Sequence, residues 1–375
     1  MKLASGAHLT YCTNIHAGET WPEVRAALEK DVVAVKARVA KDVPFGVGLR
    51  LSAQAAATLE QPRAREELKA ILRDRGLYVF TINGFPYGAF HGTRIKENVY
   101  EPDWRSDERV AYTNRLASLL ADLLPVGVDG SVSTLPGAFA PKVHGAADRD
   151  RIADGIVRHA EHLAGLRETT GKTVRLGLEP EPWCMLETAG DAVGFLEGHV
   201  FSRRPQEAML REHVGMCLDT CHAAVAFEDP GAMLATLQAA GVRVVKIQVT
   251  AALESPAGSD RAALSAFADD VYLHQVVARD AGGGLERYLD LPDALRAGAE
   301  GTWRVHFHVP VFRESFGVLA STQAHLREVL RYAKDASDHL EVETYTWDVL
   351  PVEEREVPMV DAIAREIDWV RGTLA

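Results

Sequence analysis

Seven side chains with metal-binding or proton-transfer chemistry each close a short apolar run: Glu179 in "LGLEPEP", Asp219 and His222 in "CLDTCH", Gln248 in "KIQVT", His306 and His308 in "VHFHVP", and Glu343 in "VETYTW". Carboxylates mixed with imidazoles suit Zn²⁺, Mn²⁺ or Fe²⁺ better than Ca²⁺, which takes oxygen ligands alone. Taken singly, each has an ordinary explanation. A Glu before Pro is a loop residue, a strand His is a hydrogen-bonded core residue, and an Asp at a strand end caps the next helix. Their recurrence at the ends of separate strand-like runs points instead to one divalent-metal site. Cys12, Cys184, Cys217 and Cys221 form no disulfide framework and read as reduced thiols. Cys217 and Cys221 flank Asp219, but their spacing is looser than the C-x-x-C of thiolate zinc sites.

Nine strand-like segments must position these groups: "HLTYCTNI", "FGVGLRLS", "LYVFTING", "DGSVSTL", "VRLGLEPE", "VGMCLDT", "VRVVKIQVT", "WRVHFHVPV" and "LEVETYTW". Helical patterns separate them, with Trp21-Pro22 suited to a first turn and Gly76 to a C-terminal cap. Repeated strand–helix units imply a parallel sheet, because parallel neighbours need a crossover. The expected fold is one (β/α)₈ barrel spanning residues 1–375, with loop insertions at its C-terminal face. One strand, near 246 or near 306, is surplus to the eight of such a barrel. The loosest regions are 84–104 and 251–303, the latter expected to be an insertion.

Alternation along the strands separates an apolar row from a mixed one. Val245, Ile247 and Val249 oppose Lys246, Gln248 and Thr250; Val305, Phe307 and Val309 oppose Arg304, His306 and His308. Likewise Leu340 and Val342 oppose Glu341, Glu343 and Tyr345, while the first strand offers His8, Cys12, Asn14 and His16. A parallel strand packed on both faces reads as continuously hydrophobic, and burying ionisable groups without partners is costly. The mixed rows therefore converge where barrel active sites form, at the carboxyl end of the strands.

Composition narrows the partners. Asp and Glu number 53 against 41 Lys and Arg, for a net charge of -12, which argues against nucleic acid. The nearest approach to a basic run is the pair Arg203-Arg204. No apolar stretch approaches the ~18 residues of a membrane span, and "MKLASGAHLTYC" lacks a signal-peptide pattern. A cytoplasmic location is expected, and a homo-oligomer is left open.

These motifs resemble the xylose-isomerase-like TIM barrels, which include ketose epimerases, sugar-phosphate isomerases and endonuclease IV. "LGLEPEP" resembles that group's fifth-strand Glu, "CLDTCH" its sixth-strand D-x-x-H, and "VETYTW" its closing-strand Glu. More narrowly, "YCTNIH", "CLDTCHAAVAFED", "YLHQVVAR", "HFHVPVF" and "VETYTWDVLP" resemble the EboE family of metabolite-traffic proteins, encoded beside a prenyltransferase and a cyclitol synthase. The resemblance implies proton transfer beside a carbonyl of a sugar or cyclitol, with Glu179 and Glu343 as the catalytic acid/base pair. It implies a metal held by Glu179, Asp219, His222 and Glu343, with Gln248 and His308 as further donors. His16, Asn83, His91, His222 and His306 would orient substrate hydroxyls. "NGFPYGAFHG", opened by Asn83, would be a mobile loop over a polyol or a plain βα-turn. Trp183, Tyr345 and Trp347 would exclude water. One departure matters: the group carries a His on its seventh strand, where this chain has Gln248. Either His308 supplies the imidazole, or metal binds less tightly, or catalysis is lost and the protein binds and traffics a prenyl-cyclitol metabolite. Phosphodiester hydrolysis, which needs three metals and a basic face, fits the charge worst.

Overall fold

Local signals set the boundaries of the elements. Helix Trp21–Ala27 opens on a capping box between Thr20 and Glu23 with Pro22 in its first turn. Helix Pro62–Arg75 ends on Gly76 at φ 63°, the left-handed cap that glycine takes without strain. The computed structural model describes residues 1–375 except Gly92, Thr93, Arg204 and Glu356, and except the side chain of Lys334. Arg204 of the basic pair thus lies outside the described residues.

Eight strands make one parallel sheet: β1 (His8–Tyr11), β2 (Phe45–Arg50), β3 (Leu77–Asn83), β4 (Gly130–Thr134), β5 (Val174–Leu178), β6 (Val214–Asp219), β7 (Val244–Val249) and β14 (His339–Val342). A second sheet is built from β8 (Ala251–Ser255), β9 (Val276–Arg279), β10 (Leu285–Tyr288), β11 (Thr302–Val309), β12 (Ser315–Phe316) and β13 (Leu319–Ser321). The first sheet runs in the order β1–β14–β7–β6–β5–β4–β3–β2. Its two edges meet through a single parallel bridge between Cys12 and Gly48. Side chains complete the seam: Thr10 Oγ1 donates to the Gly46 carbonyl at 2.6 Å, and the Arg50 amide donates to Thr13 Oγ1 at 2.8 Å. The result is a nearly closed (β/α)₈ barrel. Gly48 is required at the seam, since a Cβ there would lie 1.7 Å from Glu341 Oε1 inside the barrel.

The surplus strand is the one near 306. Strand β11 pairs antiparallel with β8 and β9, outside the barrel, while the segment near 246 is β7 of the barrel itself. The second sheet begins two residues after β7 and reaches Ser321, beyond the expected limit at 303. Between Val305 and Val309 the register of β11 on β8 shifts. Such an irregularity re-aims side chains, and His306 and His308 fall within it. The described residues of the 84–104 segment are hydrogen-bonded to the inserted region. Ile95 donates to the Val271 carbonyl at 2.9 Å, Tyr272 Oη donates to the Phe90 carbonyl at 2.9 Å, and Lys96 Nζ donates to Asp290 at 2.7 Å. These bonds tie its described residues to the connections of the inserted region, at Val271, Tyr272 and Asp290. Among the described residues, no helix is long and apolar enough to cross a membrane.

Candidate metal centre

Asp219 ends β6, and its two oxygens do different things. Oδ1 accepts from the amides of Cys221 (2.7 Å) and His222 (3.0 Å), capping helix Thr220–Val225, and from Thr250 Oγ1 (2.6 Å). Oδ2 is buried without a partner. The helix cap and the metal ligand are therefore not rival readings: one oxygen locks the side chain and the other is left to bind. The same division recurs at Glu343, just beyond β14. Its Oε1 accepts from Asn14 Nδ2 (2.6 Å) and Asn83 Nδ2 (2.8 Å). Glu179, just beyond β5, keeps Oε2 without a partner. Ligand oxygens of Glu179, Asp219 and Glu343 lie within 4.8 Å of one another.

Burial, then Glu343 and Asp219, push the Glu179 carboxyl well above its ordinary range. Burial, then Asp219 and Glu341, do the same at Glu343. Three buried carboxylates at this separation repel one another unless protons or a cation stand between them. The donor set fits a divalent cation, because the orphaned lone pairs of Glu179 and Asp219 are joined by that of His308. His308 Nδ1 donates to the Glu343 carbonyl at 2.8 Å, so Nε2 carries the lone pair; it is buried, unpartnered and 3.9 Å from Asp219 Oδ2. Orientation of a ligating imidazole through its other nitrogen is the usual arrangement in metal sites. Burial holds the His308 pKa down to about 4, keeping it a neutral donor.

The remaining expected ligands divide. Gln248 stands in register between Asp219 and Glu341, fully buried, with both amide atoms unpartnered. His222 groups with Asp219 and His308, but its Nε2 lies 3.0 Å from His306 Nε2. Asn83 and His306 line the central pocket, whereas His16 and His91 are not among its lining residues. His16 turns away after the short helix Thr13–Ile15 breaks the strand alternation; its Nε2 meets Tyr11 Oη at 2.8 Å. His91 Nε2 donates to the Asn14 carbonyl at 2.6 Å, supporting Asn14 from behind. Phe85, Phe90, Ile95, Tyr100, Tyr272 and Tyr345 wall the pocket above the carboxylates. Tyr345 thus lines the pocket, while Trp347 packs in the core and Trp183 is half-buried against it. All four cysteines are buried and free. Burial raises the pKa of Cys217 and Cys221 well above the ordinary value, favouring thiols over thiolate ligands.

Sequence reasoning did not single out Asn14, Thr250, Glu181 or Gln275. Asn14, Thr250 and Glu181 were visible only as members of their strands' polar rows. Glu181 stands two residues after Glu179, and Gln275 precedes β9 in "YLHQVVAR"; neither carries a spacing that marks its role.

The sequence matches the family model described as xylose isomerase-like TIM barrel over residues 45–276. Among solved structures, the chain is similar to a D-allulose 3-epimerase from Methylomonas sp. with additional C-terminal residues, at 12% identity and a TM-score of 0.51, covering 98% of each chain. It is also similar to the probable 3-DHS dehydratase AsbF from Bacillus anthracis, at 15% identity and a TM-score of 0.49, covering 96% of this chain and 97% of that one. A third is the IOLI protein with a binding zinc atom, at 13% identity and a TM-score of 0.47, covering 98% of each chain. At these identities the likeness is one of fold. No curated protein matches the chain.

Proposed function

The chain belongs to the xylose isomerase-like TIM barrel family, and we propose that it is a divalent-metal-dependent isomerase or epimerase of a sugar or cyclitol, moving a proton at the carbon beside a carbonyl. The observation that carries this reading is the gathering of Glu179, Asp219 and Glu343 beneath one pocket, with Glu179 Oε2 and Asp219 Oδ2 unpartnered. These three residues and His308 would hold the metal, with Gln248 as a neutral oxygen donor. When bound, the metal supplies Lewis-acid polarisation of the substrate carbonyl.

The chain's own residues supply the proton chemistry. Glu179 and Glu343 reach the site from strands β5 and β14, which β6 and β7 separate in the sheet. One takes the proton from one face of the carbon and the other returns a proton to the opposite face. Asn14 and Asn83 fix Glu343 by its Oε1. The aromatic wall covers the C–H faces of a sugar or cyclitol ring and excludes water that would compete for the proton.

The test is solvent exchange. Metal-loaded protein in D₂O, given a panel of ketoses and cyclitol ketones, should place deuterium beside the carbonyl of at least one. Full metal occupancy with no exchange into any member would remove the catalytic reading. Gln248, standing where the group has a His, favours a second reading: a metabolite-binding protein without turnover. That reading expects ligand binding to survive Glu179→Gln and Glu343→Gln in metal-free protein. The narrower EboE resemblance, which points to a cyclitol, rests on the motifs alone.

A further inference from the structure

We propose that Arg109, on the helix Asp107–Leu123 outside the barrel, is a positioning residue for Glu343, acting through the Asn83 side chain; this rests on the metal-dependent reading above. Arg109 is 0% exposed and makes no ion pair among the described residues. Burial holds its pKa down to about 10, which leaves the guanidinium charged at neutral pH. A buried charge is costly unless its surroundings compensate it. Here carbonyl oxygens and aromatic rings do so. Nη1 donates to the Gly84 carbonyl at 2.8 Å and the Phe85 carbonyl at 3.1 Å, and Nε donates to the Pro102 carbonyl at 2.7 Å. The rings of Tyr87 and Tyr112 are centred 5.9 and 5.5 Å from the guanidinium carbon, within cation–π range. Nη2 is buried without a partner. A methionine or leucine would fill this space without the cost, so the reason for a cation lies in what it holds.

It holds both ends of the 84–104 segment, since Gly84 and Phe85 open that segment and Pro102 lies near its close. The first end is seated so tightly that a Cβ on Gly84 would lie 2.8 Å from Leu116 Cδ1 of the same helix. That end leads directly to the carboxylates. The Phe85 amide, which can only donate, bonds Asn83 Oδ1 at 3.0 Å. This fixes the orientation of the Asn83 amide, so Nδ2 faces the other way and donates to Glu343 Oε1 at 2.8 Å. The Gly84 carbonyl and the Phe85 amide belong to one rigid peptide plane. Arg109 grips that plane by its oxygen and Asn83 grips it by its nitrogen. The far end carries a bond of the same kind: Tyr100, two residues before Pro102, donates through Oη to Glu181 Oε1 at 2.7 Å.

Without Arg109 the Gly84–Phe85 peptide can turn, Asn83 Oδ1 loses its donor, and Glu343 keeps only Asn14 as a fixed partner. Groups that orient a ligating carboxylate are worth about 10–100-fold in metal affinity or activity. Arg109 acts at one remove from Glu343, so its share lies at the lower end of that range.

A double-mutant cycle in the full chain tests it. Arg109→Met, Asn83→Ala and the two combined are compared for Zn²⁺ affinity by competition with a chromogenic chelator, for deuterium exchange into the responsive ketone, and for urea unfolding. Arg109→Met alone should weaken Zn²⁺ binding and slow exchange by about tenfold each. In the Asn83→Ala background it should change neither by more than about twofold, the ordinary scatter of such cycles. Its cost in urea unfolding should persist in both backgrounds, which separates positioning from stability. If Arg109→Met does not fold, Arg109→Lys keeps a buried cation and carries the same cycle. Equal losses with and without Asn83 would overturn the proposal, as would an Arg109 variant that binds Zn²⁺ and exchanges like the wild type. Coupled losses of Zn²⁺ affinity, with no exchange into any ketone, would remove the catalytic reading and leave the positioning role standing. Wild-type protein that binds no Zn²⁺ would overturn both.

Discussion

The barrel interior has two polar levels that treat buried groups in opposite ways. At the floor, polar atoms satisfy one another: His8 Nδ1 meets Tyr78 Oη at 2.8 Å, and Ser131 Oγ bridges His339 Nδ1 and Thr81 Oγ1, both at 2.8 Å. Just above, Lys246 and Glu341 Oε2 form an ion pair whose side chains are both 0% exposed, and Glu341 Oε1 is the one atom of this pair left without a partner. At the carboxyl end, Glu179 Oε2, Asp219 Oδ2, His308 Nε2 and both amide atoms of Gln248 have no partner. Burial alone therefore does not mark a site. What separates the levels is whether the polar atoms close on each other or are left open to something else.

The widest separation between the levels should come from removing a carboxylate at the open one. Glu179→Gln and Glu343→Gln each keep the side-chain shape but lose the proton-carrying group. Under the proposed chemistry, the exchange rate into the responsive ketone should fall by roughly 10²–10⁴, with urea unfolding little changed. Loss of exchange together with loss of folding would mean that these carboxylates are structural and the two levels are alike.

The floor should respond in the reverse sense. Burial would lower the Lys246 pKa, but Glu341 raises it beyond its ordinary value, so Lys246 stays charged. Lys246→Met leaves Glu341 as an uncompensated buried charge and should cost about 3–5 kcal/mol in urea unfolding. Lys246→Met/Glu341→Leu should recover most of that, because an apolar pair of similar volume replaces a buried ion pair at little cost. A double variant no more stable than the single one would break the view of the floor as self-satisfied.

These contrasts also explain what the sequence disclosed. The parallel barrel was legible because βα alternation and helix caps are local signals, and each strand's apolar row points to the helices. Strand-end carboxylates were legible for the same reason. The rest depended on where strands stop. The alternation that grouped His16 with Asn14 assumed extended backbone through residue 16, but the strand ends at Tyr11 and a short helix sends the two apart. The polar row in β7 and β14 looked uniform, yet Lys246 and Glu341 serve the floor while Gln248 and Glu343 serve the opening. Which strand lay outside the barrel was not readable, since β11 has the same apolar alternation as a barrel strand. Only its antiparallel partners distinguish it.

A smaller effect follows from the floor histidines. Burial holds the His339 pKa at about 3, against an ordinary 6.5. A depressed folded-state pKa gives stability that is fully present above pH 6.5 and is lost as pH falls toward 3. Between pH 6.5, where half of the unfolded imidazole is already charged, and pH 5 that amounts to about 1.6 kcal/mol, from about 1.2 units at ~1.36 kcal/mol each. His339→Gln keeps a hydrogen-bonding group for Ser131 and does not titrate. Its urea midpoint should therefore fall less than that of the wild type across this interval. Equal falls would mean that acid sensitivity resides at the open level instead.

The finest test concerns how the open level is held. Asn14 Nδ2 donates to Glu343 Oε1, and this bond favours the ionised carboxylate, working against burial and the neighbouring acids. Asn14→Ala removes one of two such donors and leaves Asn83 in place. A hydrogen bond to a charged group contributes about 1.5 kcal/mol at the lower end, so the exchange rate at neutral pH should drop by about tenfold. The direction in pH is the sharper check. Without Asn14 the Glu343 carboxyl takes up its proton more readily, so the acid limb of the rate profile should move to higher pH. A lowered rate with an unmoved limb would mean that Asn14 only positions the loop, because loss of alignment scales the rate without changing when Glu343 is protonated.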